Sequence, residues 1–114
     1  MKDKIKKMYL SGPISGYDIA ERKETFKRKQ RELESYGYEI LNPMENGLPV
    51  DAVTHAHMRR DFEMLLQCDA IYFMEKWLHS KGCAVEFDVA TACGMEVYFE
   101  EAFSIDYGHP IKFK

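Results

Sequence analysis

Short apolar runs alternate along the chain with longer segments in which apolar residues recur at helical spacing. The short runs favour β-strands, and the longer segments favour amphipathic helices with one apolar face. The predicted strands cover residues 5–10, 38–41, 70–74 and 95–99. The predicted helices cover residues 18–36, 54–67 and 82–93. Strands and helices therefore alternate as far as residue 99.

This alternation indicates a parallel sheet with right-handed crossovers. We therefore predict an α/β fold of three layers, Rossmann- or flavodoxin-like, with a parallel sheet of about four strands and flanking helices. A chain of 114 residues fits one compact domain, which we expect to cover residues 1–114. Such sheets bind ligands at the carboxyl ends of their strands. The loops of interest are therefore residues 11–16, 42–53 and 75–81.

The third predicted helix is apolar on most of its surface, with Glu86 and Asp88 as its only charged residues. A helix that is apolar nearly all round is covered on both sides. We expect the sheet to cover one side and a partner subunit to cover the other. In the tail after residue 99, Phe103, Tyr107 and Phe113 are expected to pack on the domain or on a neighbour.

The overall charge argues against a polyanionic partner. Acidic residues outnumber basic ones, and the formal net charge is −3, so we expect neither a nucleic acid polymer nor a membrane as partner. Basic residues cluster in residues 22–31, which we interpret as a solvated helix face; a polyanion site is the alternative. The chain has neither a transmembrane stretch nor a signal-peptide core, which predicts a cytoplasmic location.

The cysteines and histidines give no sign of a metal site. Cys68, Cys83 and Cys93 form no CxxC pair and lie among apolar residues, which predicts reduced, buried, structural thiols. His55 and His57 form an HxH pair, but no cluster of Cys, Asp or Glu completes a ligand set. We therefore predict no metal and no cofactor.

The loop after the first strand is the first candidate for a ligand site. Tyr9 stands near the strand end, and Ser11, Gly12, Ser15 and Gly16 follow it. Small residues let backbone N–H groups approach an anion, and the next helix points its positive end toward the same place. An ordinary tight turn explains the composition equally well.

Two carboxylates are candidates for chemistry. Asp61 borders the apolar face of the second helix, where a carboxylate needs a partner or a function; pairing with an arginine or a backbone N–H is the alternative. Glu86 falls near the start of the third helix, whose dipole favours the ionised form that a nucleophile requires. The alternative is a first-turn glutamate that only caps its helix. Two carboxylates at one cleft suit glycosidic cleavage.

Four segments together resemble the nucleoside 2-deoxyribosyltransferase superfamily. They are residues 9–16 (YLSGPISG), 60–61 (RD), 69–70 (DA) and 80–86 (SKGCAVE). The resemblance covers about residues 5–99. Within the superfamily, the chain is most similar to small, mostly uncharacterised bacterial and phage proteins, and the characterised relatives include the 2-deoxynucleoside 5-phosphate N-hydrolases.

The resemblance implies a role for each matching residue. Glu86 matches the glutamate that attacks C1 of the deoxyribose and forms a glycosyl-enzyme intermediate. Asp61 matches an aspartate that assists at the sugar or the leaving base, and Tyr9 matches a tyrosine that orients the nucleophile. Gly12 lines the same loop, and Ser80 matches a serine that contacts the 5-phosphate of nucleotide substrates.

The leading hypothesis is therefore an enzyme that cleaves the N-glycosidic bond of a deoxynucleoside or its 5-phosphate, or transfers its deoxyribosyl group. Trp77, in the loop before Ser80, is a candidate to stack on the base, and a packed loop anchor is the alternative. Two other hypotheses are a noncatalytic nucleotide-binding module of the same fold and a structural or regulatory subunit of an oligomer.

The apolar third helix generates a prediction about assembly. If a partner subunit covers its outer side, the protein is a homodimer or a larger homo-oligomer. Size-exclusion chromatography with light scattering measures this directly. A clean monomer would contradict our explanation of the apolar surface.

Overall fold

A four-stranded parallel sheet forms the centre of the part of the chain that the computed structural model describes, residues 6–101. Its strands are β1 Lys7–Ser11, β2 Glu39–Leu41, β3 Ala70–Phe73 and β4 Glu96–Phe99. The helices are α1 Ile19–Glu34, α2 Thr54–Leu65 and α3 Lys81–Ala92, with short 3₁₀ turns at Pro43–Glu45 and Trp77–His79. The strands and helices alternate as the sequence predicts.

The strand order is β2-β1-β3-β4, so β1 lies inside the sheet and pairs with both β2 and β3. Tyr9 illustrates this position, because it is in register with Leu41 on one side and with Ile71 on the other. The chain reverses its direction of strand addition between β1 and β3. In open parallel sheets, the crevice at such a reversal is where ligands bind.

The sheet separates two apolar cores, one on each face. Phe26 and Leu33 of α1 pack against Met8 and Leu10 of β1 in the first core. Side chains of α2 and α3 pack against the opposite face of β1 and β3 in the second, which includes Met64, Leu65, Cys83, Ala90, Tyr9, Ile71 and Phe73. The predicted three-layer α/β fold is confirmed.

The helix ends follow local side-chain chemistry. Asp18 caps α1 by accepting a hydrogen bond from the Glu21 amide at 2.9 Å. Ser80 caps α3 by accepting one from the Cys83 amide at 3.2 Å, so α3 begins at Lys81, one residue earlier than predicted. Strand β1 also extends one residue further than predicted and ends at Ser11.

Two sequence-based interpretations of surface residues need correction. Arg22 is not solvated but buried, because its guanidinium stacks over the rings of Tyr17 and Phe26, at 5.0 and 5.7 Å from their centroids. Cys83 is buried as predicted, but Cys93 is exposed because it follows the last turn of α3.

The outer side of α3 is open to solvent in the single chain. Cys83 and Ala90 face the core, whereas Val85 is 41% exposed. A partner subunit on this side stays a prediction. Phe103, Tyr107 and Phe113 of the tail lie outside the described residues. Between residues 6 and 101 the structure contains no helix both long enough and apolar enough to cross a bilayer.

Candidate active site

The carboxylate of Glu86 is held by two hydroxyl groups from β1. The Tyr9 hydroxyl donates to Oε2 at 2.7 Å, and the Ser11 hydroxyl donates to Oε1 at 2.6 Å. Both are short, as hydrogen bonds to an ionised acceptor are. The structure therefore brings together three of the residues that the sequence singled out.

The geometry follows from the period of two in a strand. Tyr9 and Ser11 are two residues apart, so both side chains leave β1 on the same face, toward α3. Ser11 is also the last residue of β1, which puts the pair at the carboxyl end of the sheet. The second turn of α3 carries Glu86 to this point.

Glu86 does not cap its own helix, so the alternative interpretation is wrong. Ser80 occupies the cap position, and Glu86 is the sixth residue of α3 rather than a first-turn residue. The dipole effect falls off beyond the first turn, so it contributes little to the ionisation of Glu86. The two hydroxyls of β1 provide the stabilisation that we had assigned to the helix dipole.

Burial is the largest influence on the ionisation of Glu86. It raises the pKa of Glu86 from 4.5 to about 7; the bonds from Ser11 and Tyr9 oppose the rise, and the charge of Asp61 adds to it. Burial, followed by the Glu86 charge, also raises the pKa of Tyr9 well above its usual range. The phenol consequently stays protonated and remains a donor at neutral pH.

Asp61 of α2 is the second carboxylate of the site. Its Oδ1 accepts a hydrogen bond from Nδ2 of Asn46 at 2.9 Å. Burial raises the pKa of Asp61, whereas the bond from Asn46 and the proximity of His57 and Arg60 lower it. The alternative interpretation, pairing with an arginine or a backbone N–H, does not account for the hydrogen bond, because its donor is a buried side-chain amide; Arg60 contributes only its charge.

Sequence reasoning did not single out Asn46. It lies in the loop 42–53, where the sequence has no period to indicate which side chains turn inward. The side chain is nevertheless buried, at 5% exposure. The HxH pattern was a partial signal, because His57 contacts the same amide, with Nδ1 at 3.1 Å from Nδ2 of Asn46.

The rest of the first loop makes no hydrogen bond to either carboxylate among the described residues. Ser15 and Gly16 are exposed, and Gly16 adopts a φ of 84°, which favours glycine. Gly12 is needed for packing, because a Cβ there would come within 3.1 Å of Phe26 and of Met74. The exposed part of the loop is thus an ordinary tight turn, and Ser11 at its start contributes to the carboxylate site.

Trp77 does not present a face to a ligand. It is 3% exposed, and its ring packs against Phe73, Phe87 and Phe99 at centroid distances of 4.5, 5.3 and 5.5 Å. The prediction that it stacks on a base is wrong, and the packed-anchor alternative is correct. Ser80 is half-buried at the start of α3, next to this anchor.

Two other features lie outside the carboxylate site. Among residues 6–101, no group of three or more His, Cys, Asp or Glu side chains could hold a metal ion. A cleft of about 370 Å³ lies on the α1 side of the sheet, with Arg22, Arg28, Lys29 and Lys76 among its lining residues. Glu86 does not line it.

Comparison with known families places the chain in a family defined by sequence. The family model described as "Domain of unknown function (DUF4406)" matches residues 6–99. The chain belongs to this family. No curated protein matches the sequence. The family match spans every strand and helix described above.

Solved structures support the fold. The chain is similar to a 2-deoxyribosyltransferase from Bacillus psychrosaccharolyticus, with a TM-score of 0.65, 19% identity, and coverage of 88% of this chain and 77% of that one. It is also similar to a conserved protein from Enterococcus faecalis V583, with a TM-score of 0.65, 24% identity, and coverage of 89% of this chain and 66% of that one.

The raised pKa of Glu86 predicts how stability depends on pH. Between about pH 4.5 and 7, the folded chain keeps a proton on Glu86 that the unfolded chain releases, so stability falls as the pH rises. Glu86→Gln cannot ionise. We expect it to be more stable than the wild type by about 1–3 kcal/mol at about pH 8, and to lose this advantage near pH 4.5.

Urea unfolding at both pH values measures the difference. The control is Asp88→Asn, which removes an exposed carboxylate from the same helix and should show no such dependence. Parallel stability curves for the wild type and Glu86→Gln would contradict the buried, proton-binding carboxylate.

Proposed function

We propose that the protein cleaves the N-glycosidic bond of a deoxynucleoside or a deoxynucleoside 5-phosphate, with Glu86 as the nucleophile. The observation that carries the proposal is a carboxylate held by two hydroxyl donors at the carboxyl edge of a parallel sheet, with a second carboxylate, Asp61, close enough to raise its pKa. Similarity in fold to a 2-deoxyribosyltransferase supports the substrate class.

The first step forms a bond between a Glu86 oxygen and C1 of the sugar. The bond from C1 to the base nitrogen breaks, and its electron pair goes to the base, which takes up a proton. Asp61 is the candidate proton donor, because burial raises its pKa and so favours the protonated form. The product is a glycosyl ester on Glu86 and a free base.

The second step regenerates the carboxylate. Water attacks C1 and gives a proton to the Asp61 carboxylate, the bond from C1 to the Glu86 oxygen breaks, and free deoxyribose or its phosphate is released. If a second base attacks instead, the product is a new nucleoside. A 2-deoxy sugar lacks the hydroxyl that would withdraw electrons from the oxocarbenium-like transition state, so a well-placed carboxylate and a proton donor suffice.

Tyr9 and Ser11 prepare the nucleophile. Each occupies one lone pair of a carboxylate oxygen and leaves others on the same atoms available for attack. Both hydrogen bonds favour the ionised form against the effect of burial. As positive charge develops on the sugar, the ionised carboxylate is stabilised further.

The sugar and phosphate would be held by the first loop and the start of α3. Gly12, Ser15 and Gly16 offer backbone N–H groups beside Ser11. The Ser80 oxygen accepts the Cys83 amide, and its hydroxyl proton can donate to a phosphate oxygen. The substrates tested show whether water or a second base accepts the deoxyribosyl group. They also show whether the substrate carries a phosphate or a hydroxyl at C5 of the sugar.

Substitution of Glu86 tests the proposal. We incubate the wild type with each deoxynucleoside and each deoxynucleoside monophosphate, with and without a second free base, and follow base release by chromatography. Glu86→Ala removes the nucleophile and should reduce release to the uncatalysed rate while substrate binding persists. The matched control, Asp88→Ala, removes an exposed carboxylate two residues away and should retain the wild-type rate.

Unchanged release by Glu86→Ala would exclude the mechanism. Thermal stabilisation of the wild type by nucleotides without turnover would instead favour the noncatalytic nucleotide-binding module. Denaturation of the reaction mixture during turnover, followed by mass spectrometry, should reveal a deoxyribosyl adduct in the peptide that contains Glu86.

A second prediction concerns Tyr9. Because its hydrogen bond lowers the pKa of Glu86, Tyr9→Phe should raise that pKa and move the acid limb of the kcat/KM profile to higher pH. Loss of one hydrogen bond to a charged group should also reduce kcat/KM at pH 7 by about 10- to 100-fold. The control is Tyr36→Phe, an exposed tyrosine on which the profile should not depend. An unmoved acid limb in Tyr9→Phe would contradict the role of Tyr9.

A further inference from the structure

Asn46 makes an unusually complete set of hydrogen bonds at the edge of the carboxylate site. Its Nδ2 donates to Oδ1 of Asp61 at 2.9 Å and contacts Nδ1 of His57 at 3.1 Å. Its Oδ1 accepts the Leu48 amide at 3.0 Å, and its carbonyl oxygen accepts Nε of Arg60 at 3.0 Å. Asn46, only 5% exposed, thus connects the loop 42–53 to α2 at three points, two through its side chain and one through its backbone carbonyl.

The Leu48 amide fixes the orientation of the Asn46 side chain. A backbone N–H can only donate, so the atom that faces it must be the oxygen, and the NH₂ group must face α2. Because that NH₂ group can only donate, Nδ1 of His57 must accept. In this arrangement the ring proton of His57 is on Nε2.

The same orientation constrains Asp61. One carboxylate oxygen is occupied by Asn46, which leaves Oδ2 for the substrate. The charged and titratable groups that face Asp61 are His57 and Arg60 on its own helix, Glu86 on α3 and Tyr9 on β1. Among residues 6–101, the Asn46 amide is the one group that donates a hydrogen bond to the Asp61 carboxylate.

We propose that Asn46 is a positioning residue: its amide holds Asp61 in the orientation for chemistry and orients the ring of His57 beside it, with Nδ1 of His57 as the acceptor. This rests on the proposed function, because the chemistry in question is proton transfer by Asp61. Asn46 touches no reacting atom and acts through Asp61. Different atoms of Asn46 perform its two roles. Oδ1 stabilises the turn by accepting the Leu48 amide, and Nδ2 fixes the orientation of the Asp61 carboxylate.

Asn46→Asp separates these two roles. The aspartate keeps an oxygen for the Leu48 amide and keeps the shape of the side chain, but it replaces both donor contacts with a negative charge. Asp61 then faces a like charge in place of a donor, which disfavours its ionised form. We expect kcat to fall by about 10- to 100-fold. We also expect the limb of the pH–rate profile that depends on Asp61 to move to higher pH, by about one pH unit.

Asn42→Asp is the matched control. Asn42 is also buried, lies in the same loop, and accepts the Met44 amide at 2.8 Å while its Nδ2 donates to Gln30 at 3.1 Å. The same substitution there keeps the turn and adds the same charge away from Asp61. We expect a similar change in thermal stability but an unchanged pH profile. Equal kinetic losses in both variants, or a wild-type profile in Asn46→Asp, would overturn the proposal.

NMR makes the result independent of turnover. Carbon-detected titration of the Asp61 carboxyl should shift to higher pH in Asn46→Asp and stay unchanged in Asn42→Asp, and the ¹⁵N shifts of wild-type His57 should show the Nε2–H tautomer. If no substrate releases a base, the proposed function fails, yet these measurements still test the hydrogen-bonded unit. Unchanged Asp61 titration in Asn46→Asp would overturn the role of Asn46, even in an active enzyme.

Discussion

The site depends on a balance at one side chain, the carboxylate of Glu86. Its partial removal from water opposes ionisation, and two hydroxyl protons from β1 oppose that effect in turn. Burial outweighs the two hydrogen bonds and raises the pKa of Glu86 to about 7, and the hydrogen bonds prevent a larger rise. A more exposed carboxylate would ionise easily but bind water instead of a sugar, and a fully buried one without donors would stay protonated.

Strand β1 makes this arrangement possible because its side chains point alternately to the two faces of the sheet. Met8 and Leu10 of β1 enter the core beneath α1, and the alternate residues Tyr9 and Ser11 face α3. Because β1 pairs on both sides, the backbone that carries the two donors is rigid. A donor on a mobile loop would lose more conformational freedom on holding the carboxylate.

The sequence predicted the features that follow from periodicity, and it missed those that depend on long-range contacts. Strand and helix alternation gave the fold, and Glu86 and Asp61 were identified as carboxylates beside apolar faces. The burial of Trp77 depends on Phe99 of a later strand, and the burial of Arg22 depends on how the first loop folds back against α1. Asn46 stayed hidden because an aperiodic loop gives no indication of which polar side chain turns inward.

The guanidinium of Arg22 connects the first loop to α1. Besides stacking on Tyr17 and Phe26, it donates to the carbonyl oxygen of Pro13 at 2.9 Å and so ties the first loop to α1. A lysine would keep the charge on this highly charged helix but lacks the flat, forked shape that stacks and donates at once. In proteins whose first loop follows the same path, position 22 should therefore accept few residues other than arginine. The exposed charged positions elsewhere on the helix should accept many more.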